Sequence, residues 1–260
     1  MADFTVRFFS KALKRDISFL MVIPNDIRMD YPRNDLKRMD RPMKTLFLLH
    51  GYNGAAFNWL PGNLAEQYNF AVVIPSGENS FWLDCLPTGW QFATFVGVEL
   101  VEYVRKTFHL AMTAEDTYLM GFSMGGFGAL HTALAYPETF SKTAALSSAL
   151  IHNGVASMKE GEANEIANYD YYRMCFGDPD KLAESDNNPE YLIKKLIAAG
   201  KKIPEIFMAC GTEDFLLEPN RAFHKFLEGQ KVEHVYLESK GIHDMKFWQE
   251  YAEKFIPMMF

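Results

Sequence analysis

The chain has 260 residues, 48% of them hydrophobic and 23% charged, enough to bury the core of one large α/β domain and unlike disordered or collagen-like sequences. Its 33 acidic against 26 basic residues give a net charge of −7, so nucleic acid, which attracts excess Lys and Arg, is not an expected partner. No apolar run of about 18 residues is present to span a membrane, and the first residues lack the apolar stretch of a signal peptide. Cys85, Cys175 and Cys210 have no metal-type spacing and read as incidental thiols in a reducing cytoplasm, which is the expected location.

In chain order, residues 4–9 and 17–23 read as strands, the second stopped by Pro24. Basic and turn-forming residues over 26–42 make a surface connection. Residues 45–49 and 70–74 are almost continuously apolar, as parallel strands covered on both faces must be. Phe92, Val96, Leu100, Val104 and Phe108 recur every fourth position and predict one helix. A strand at 117–120 leads to a helix over 124–136, ended by Pro137, and then to a strand at 143–146. The polar stretch 151–202, with Tyr169, Tyr171 and Tyr172, breaks the alternation and reads as a small cap beside the site. Strands at 205–209 and 233–237 flank a helix bracketed by Pro219 and Gly229. A last helix begins near Asp244 and carries Trp248, Tyr251, Ala252, Phe255 and Ile256 on one side. The pattern predicts a single α/β domain over 1–260. Its mostly parallel sheet has about eight strands, with helices on both faces.

Chemistry concentrates where the strand at 117–120 runs into Gly121-Phe122-Ser123-Met124-Gly125 and then a helix. A serine on such a sharp strand-to-helix turn needs small neighbours two residues away on each side, which makes Ser123 the candidate nucleophile. A hydroxyl needs a base. His243, after the strand at 233–237, is better placed than the other histidines, since loops at strand carboxyl ends converge on one site. Asp214, following the strand at 205–209, is the candidate acid that orients the imidazole, with Glu213 and Asp244 as solvated or helix-end carboxylates. In Leu48-Leu49-His50-Gly51-Tyr52 the His-Gly pair follows an apolar strand. That assigns the backbone N–H groups of Tyr52, with Gly51 as the alternative, and of Met124 to an oxyanion hole, and makes His50 a structural residue of the loop.

These segments resemble the esterase D-like group of α/β-hydrolases, and the bacterial tributyrin esterases most. The stretches that carry the resemblance are 48–54 with Trp59, Asn79-Ser80-Phe81-Trp82, 121–128, 211–216 and 241–248. It implies an α/β-hydrolase fold and cofactor-free, metal-free hydrolysis of short-chain acyl esters through an acyl-enzyme. Relatives act on acetylated or feruloylated plant polysaccharides, and S-formylglutathione hydrolases are more distant cousins. The expected partner is a small ester, with no membrane. A homo-oligomer is left open. Phe81, Trp82 and Trp90, with Tyr52, Phe57 and Trp59, lie on loops after strands and are candidates to line an acyl or alcohol pocket. Acyl transfer to another alcohol, or a non-catalytic binding module, are the competing readings from other classes.

Overall fold

A computed structural model describes residues 1–25, 36–37, 41–85 and 87–260; most of the expected connection over 26–42 lies outside the described residues. The eight expected apolar runs form strands at or within a few residues of their limits, and two short strands that were not expected, Asp84–Cys85 and Trp90–Gln91, join them. They are β1 (Ala2–Ser10), β2 (Arg15–Ile23), β3 (Lys44–Leu49), β4 (Phe70–Pro75), β5 (Asp84–Cys85), β6 (Trp90–Gln91), β7 (Thr117–Phe122), β8 (Lys142–Leu146), β9 (Glu205–Gly211) and β10 (His234–Ser239). The helices are α1 (Leu64–Gln67), α2 (Phe92–Thr94), α3 (Val101–Phe108), α4 (Met124–Ala135), α5 (His152–Ser157), α6 (Tyr169–Phe176), α7 (Pro179–Leu182), α8 (Pro189–Ala198), α9 (Leu217–Gly229) and α10 (Met245–Met259).

Eight strands form one sheet in the order β1-β2-β4-β3-β7-β8-β9-β10, and β5 pairs only with β6. The β1–β2 and β2–β4 pairs are antiparallel, whereas every neighbouring pair from β4 to β10 is parallel. Successive strand residues point to opposite faces, and the burial follows that period. Phe47, Leu49, Leu119, Ala145 and Met208 join one core cluster, which also takes in Phe127 and Leu130 of α4 and Phe223 of α9. Leu46, Leu48, Met120, Leu146 and Phe207 join the other, beneath Trp248, Tyr251 and Phe255 of α10. Helices therefore cover both faces, as the continuous apolar runs require.

One expected helix differs in detail. The fourfold spacing from Phe92 to Phe108 is met by α2 and α3 joined through a π-helical stretch, Phe95–Leu100. Gly97 in that stretch lies so close to Tyr136 that a Cβ there would fall 2.2 Å from the ring. The inserted residue also presents Glu99, whose carboxylate accepts from Ser10 Oγ (2.5 Å) and Lys11 N (2.6 Å) and closes the β1–β2 turn. Periodicity alone does not distinguish a helix from one carrying such a bulge.

Chain order reverses at β3. From there the chain steps to β4 on one side and later returns to β7 on the other. In open parallel sheets such a reversal leaves a crevice at the strand carboxyl ends, where the loops after the two adjacent strands meet. His50-Gly51 and Ser123 occupy those two loops. Among the described residues no helix is long and apolar enough to cross a membrane.

Phe255 is fully buried between Phe207 and Tyr251, with ring centroids 5.6 and 5.9 Å away. Phe255→Ala is expected to cost about 3–5 kcal/mol in a denaturant titration, the range for emptying a buried aromatic site.

Candidate active site

Ser123 is held at φ 55°, ψ −121°, between the end of β7 and the first residue of α4. A non-glycine residue in that region is strained and persists only where its surroundings fix it. Here its N–H donates to Leu146 O (2.9 Å), and its carbonyl accepts from Phe127 N (3.1 Å) and Ala149 N (2.9 Å). Gly121 and Gly125 make the turn sterically feasible. A Cβ on Gly121 would lie 2.1 Å from Gly125 O, and one on Gly125 would lie 2.4 Å from Leu49 O. The obstacles are backbone atoms, which cannot swing aside as a side chain can. The glycine spacing read in the sequence is thus a condition for α4 to start against the end of β3.

His243 leaves the loop between β10 and α10, and its Nε2 accepts from Ser123 Oγ at 2.9 Å. Its Nδ1 faces both oxygens of Asp214, at 3.0 and 2.9 Å. The two loops that bring these residues together are stitched by backbone bonds, Thr212 N to Ser239 O and Glu213 N to Gly241 O, both 2.9 Å. Gly211 permits that approach, since its Cβ would fall 2.3 Å from Gly241 O. Asp214 also accepts from Leu216 N (2.8 Å) and has no exposed side-chain surface. Burial pushes its carboxyl up, but the His243 and Leu216 hydrogen bonds outweigh this and hold it below its usual 3.8. Glu213 faces Lys240 at the surface, 3.9 Å apart, and Asp244 caps α10 by accepting from Phe247 N (2.9 Å). Neither carboxylate reaches the imidazole by a hydrogen bond.

The loop after β3 is organised by His50. Its Nε2 accepts from Gly77 N (2.9 Å), which leaves the proton on Nδ1 to be donated to Gly51 O (2.8 Å). Burial lowers the pKa of His50 and favours this neutral form. Gly54 N also donates to Gly51 O, at 3.1 Å. A trans peptide points its carbonyl and its N–H in opposite directions, so anchoring the Gly51 carbonyl turns the Tyr52 N–H away from those anchors. A Cβ on Gly51 would lie 3.2 Å from Ser123 Cβ, which sets this peptide beside the serine. Met124, the first residue of α4, has no intrahelical acceptor for its N–H. Asn53 and Asn79 lock the loop by exchanging hydrogen bonds of 2.8 and 2.9 Å, and Tyr171 of α6 donates to Asn79 O (2.6 Å).

A cavity of about 620 Å³ opens beside Ser123 and Met124, with Tyr52, Phe81, Leu150 and Phe215 in its walls. Residues 149–155, Asn164, Ile166, Tyr172 and Glu190 also line it, so part of the stretch 151–202, with α5 and the start of α8, borders the same cavity as the serine. Phe81 and Tyr52 are where the sequence places them. Trp82 and Trp90 are not. Trp82 is fully buried, donates Nε1–H to His50 O (3.2 Å) and presses on Gly77 and Gly128, so it is a core support of the His50 loop. Trp90 lies under the Arg15 guanidinium, 4.8 Å from its ring centroid, away from the cavity. Trp59 is likewise core, and Phe57 packs on Phe122. Conversely, His152, Glu190 and Phe215 line the cavity without having been singled out. Phe215 follows directly on Asp214 and packs tilted against His243, ring centroids 4.5 Å apart, a placement its adjacency to the acid could have suggested. All three cysteines are free and buried, and no metal-binding cluster occurs among the described residues.

The Esterase family model matches residues 10–258. The chain belongs to the Esterase family. An acetyl esterase of Caldicellulosiruptor saccharolyticus is 41% identical over 255 residues, covering 96% of this chain and 95% of that one. Among solved structures, the Staphylococcus aureus fluorophosphonate-binding serine hydrolase FphF superposes with a TM-score of 0.83 at 24% identity, covering 99% and 98% of the two chains. The S-formylglutathione hydrolase FrmB of Staphylococcus aureus gives 0.80 at 23% identity, with the same coverage. The α/β-hydrolase fold expected from the motifs is the fold observed. This protein is a carboxylic-ester hydrolase of that family.

The titrating groups predict the acid limb of the esterase's stability. His50 and His131 have pKa values lowered by burial from 6.5, so the unfolded chain binds more protons below that pH and stability falls on acidification. Asp214, lowered from 3.8, contributes stability above that value, and this is lost as pH falls through its folded pKa. Thermal melts from pH 8 to pH 3 should fall in two stages (about pH 6 and below, then below about pH 4), and Asp214→Asn should flatten only the second. Gly125→Ala should lower the melting temperature and the ester turnover together, because its Cβ meets the Leu49 carbonyl.

Proposed function

We propose that this esterase hydrolyses short-chain acyl esters through an acyl-Ser123 intermediate, without a metal or organic cofactor. The observation that carries the reading is the continuous set of contacts Ser123 Oγ–His243 Nε2 (2.9 Å) and His243 Nδ1–Asp214 (2.9 and 3.0 Å), beside a largely apolar cavity. Ser123 attacks the ester carbonyl while His243 takes its proton, and Asp214 holds the imidazole in the required tautomer and stabilises its charged form. The N–H groups of Tyr52 and Met124 receive the developing oxyanion. His243 then protonates the departing alcohol, and water repeats the sequence to release the acid and restore Ser123. Residues 151–202 act as a cap within one domain that shields the acyl-enzyme from bulk water. Tyr52 and Phe81 contact the substrate. Three free, buried thiols fit a reducing, cytoplasmic setting.

The acetyl esterase relative supports a small acyl group. One observation favours a second reading: about 620 Å³ is far more than an acetyl group needs, and a phenyl-bearing acyl group would fit beside Phe81 and Tyr172. A structural neighbour at 19% identity and TM-score 0.71 is a ferulic acid esterase. An acetyl- or feruloyl-bearing polysaccharide is therefore the alternative substrate. Rates over acetyl, butyryl, octanoyl and feruloyl esters decide between them. The short-chain reading expects a maximum at acetyl or butyryl, and a feruloyl maximum favours the alternative. Ser123→Ala should lower kcat by roughly four to six decades with the fold intact by circular dichroism.

A further inference from the structure

The wall of the cavity formed by 151–202 carries polar groups that the proposed cycle does not use. His152 opens α5 and is only 2% exposed, and neither ring nitrogen has a hydrogen-bond partner among the described residues. Its Nε2 stands 3.5 Å from Glu190 Oε1, at the start of α8. Asn153 Nδ2 reaches the same oxygen at 3.4 Å, so both contacts are long and Glu190 Oε2 receives neither. Asn164 spends its Oδ1 on Ile166 N (2.9 Å), Ala167 N (3.0 Å) and the Tyr172 hydroxyl (3.2 Å), which leaves its amide N–H groups as donors. His152, Asn153, Asn164 and Glu190 all border the cavity, whose remaining walls include Ile151, Val155 and Phe223.

Asn153 and Asn164 are exposed and Glu190 is half-buried, but His152 is buried, and a buried polar group left short of partners costs free energy, so a wall meant only for an alkyl chain would be better built with an apolar residue there. The chemistry of this wall also restricts its ligand. Glu190, whose pKa is lowered mainly by its contact with His152, offers a carboxylate acceptor. The Asn153 and Asn164 amides offer donors, and the imidazole offers either. A carboxylate on the substrate would meet Glu190 as a like charge. An ammonium would leave the donors unpaired. A hydroxyl both donates and accepts, and satisfies the set.

Resting on the esterase reading above, we propose that His152 and Glu190 are specificity-determining residues that hold a hydroxyl of the substrate in the cavity that Ser123 borders. The enzyme thereby selects hydroxylated esters over their deoxy counterparts. The hydroxyl donates to the Glu190 carboxylate and accepts from an amide or imidazole N–H. Hydrogen bonding to a substrate hydroxyl discriminates strongly, because the analogue lacking it strands the site's own polar groups.

The test compares kcat/KM for two matched pairs: methyl 6-hydroxyhexanoate against methyl hexanoate, and 4-hydroxybutyl acetate against butyl acetate. The first pair places the hydroxyl on the acyl side and the second on the alcohol side. The expected result is a preference of about tenfold or more for the hydroxylated member of one pair, carried mainly by KM. That preference should shrink in Glu190→Gln, whose amide oxygen still accepts, and vanish in Glu190→Leu. If Glu190→Leu does not fold, the wild-type ratios and Glu190→Gln decide. Equal rates within both pairs, or an undiminished preference in Glu190→Gln and Glu190→Leu, overturn the inference and leave the esterase reading standing. A stronger preference for methyl 6-aminohexanoate overturns it in favour of a cation site. Failure to hydrolyse any of the esters overturns the esterase reading itself, and the inference with it.

Discussion

The site depends on one close approach of backbone to backbone. The first turn of α4 lies against the carboxyl end of β3 so tightly that a single methyl group on Gly125 would overlap the Leu49 carbonyl. That contact puts the first free N–H groups of a helix beside the loop that follows β3, and it forces Ser123 into a left-handed backbone conformation. The strain at Ser123 is balanced by ordinary interactions, namely its N–H donating to Leu146 O and its carbonyl accepting from Phe127 N and Ala149 N. Once the turn is set, the serine stands at the carboxyl end of the central strand β7, and the chemistry is a matter of what the neighbouring loops bring to it.

Two further loops do so by the same device. Gly211 lets the segments after β9 and β10 touch through backbone bonds, so Asp214 and His243 are positioned by main-chain geometry. His50 plays the matching part on the other side. Buried, and hydrogen-bonded through both ring nitrogens, it anchors the Gly51 carbonyl and so orients the following N–H. Trp82 supports His50 in turn. Each functional group thus rests on a second layer whose partners are fixed by burial and not by solvent-exposed side chains.

Much of this was legible beforehand. Parallel strands announce themselves as short apolar runs, and the Gly-x-Ser-x-Gly turn has few other physical uses between a strand and a helix. The order Ser123, Asp214, His243 followed from placing each candidate after a strand. Aromatic residues on loops were not legible in the same way. Phe81 and Trp82 are adjacent, yet one borders the cavity and the other is buried under His50. At positive φ for both residues, 53° and 58°, no strand-like alternation tells which side faces in. Trp90 is drawn off by Arg15, a contact between segments far apart in the chain. His152 and Glu190 escaped notice for the same reason, since two side chains 38 positions apart in the chain meet in space.

The proposed chemistry requires the ester's acyl group to pass through a covalent bond to Ser123 Oγ. Acid quenching of the enzyme within its first turnover of a slowly deacylating ester, followed by peptide mass spectrometry, tests it most directly. The account predicts a mass increase equal to the acyl group on the peptide containing Ser123, absent before substrate is added. An acyl group found on another residue, or turnover by direct attack of water with the Ser123 peptide unmodified throughout, would contradict it.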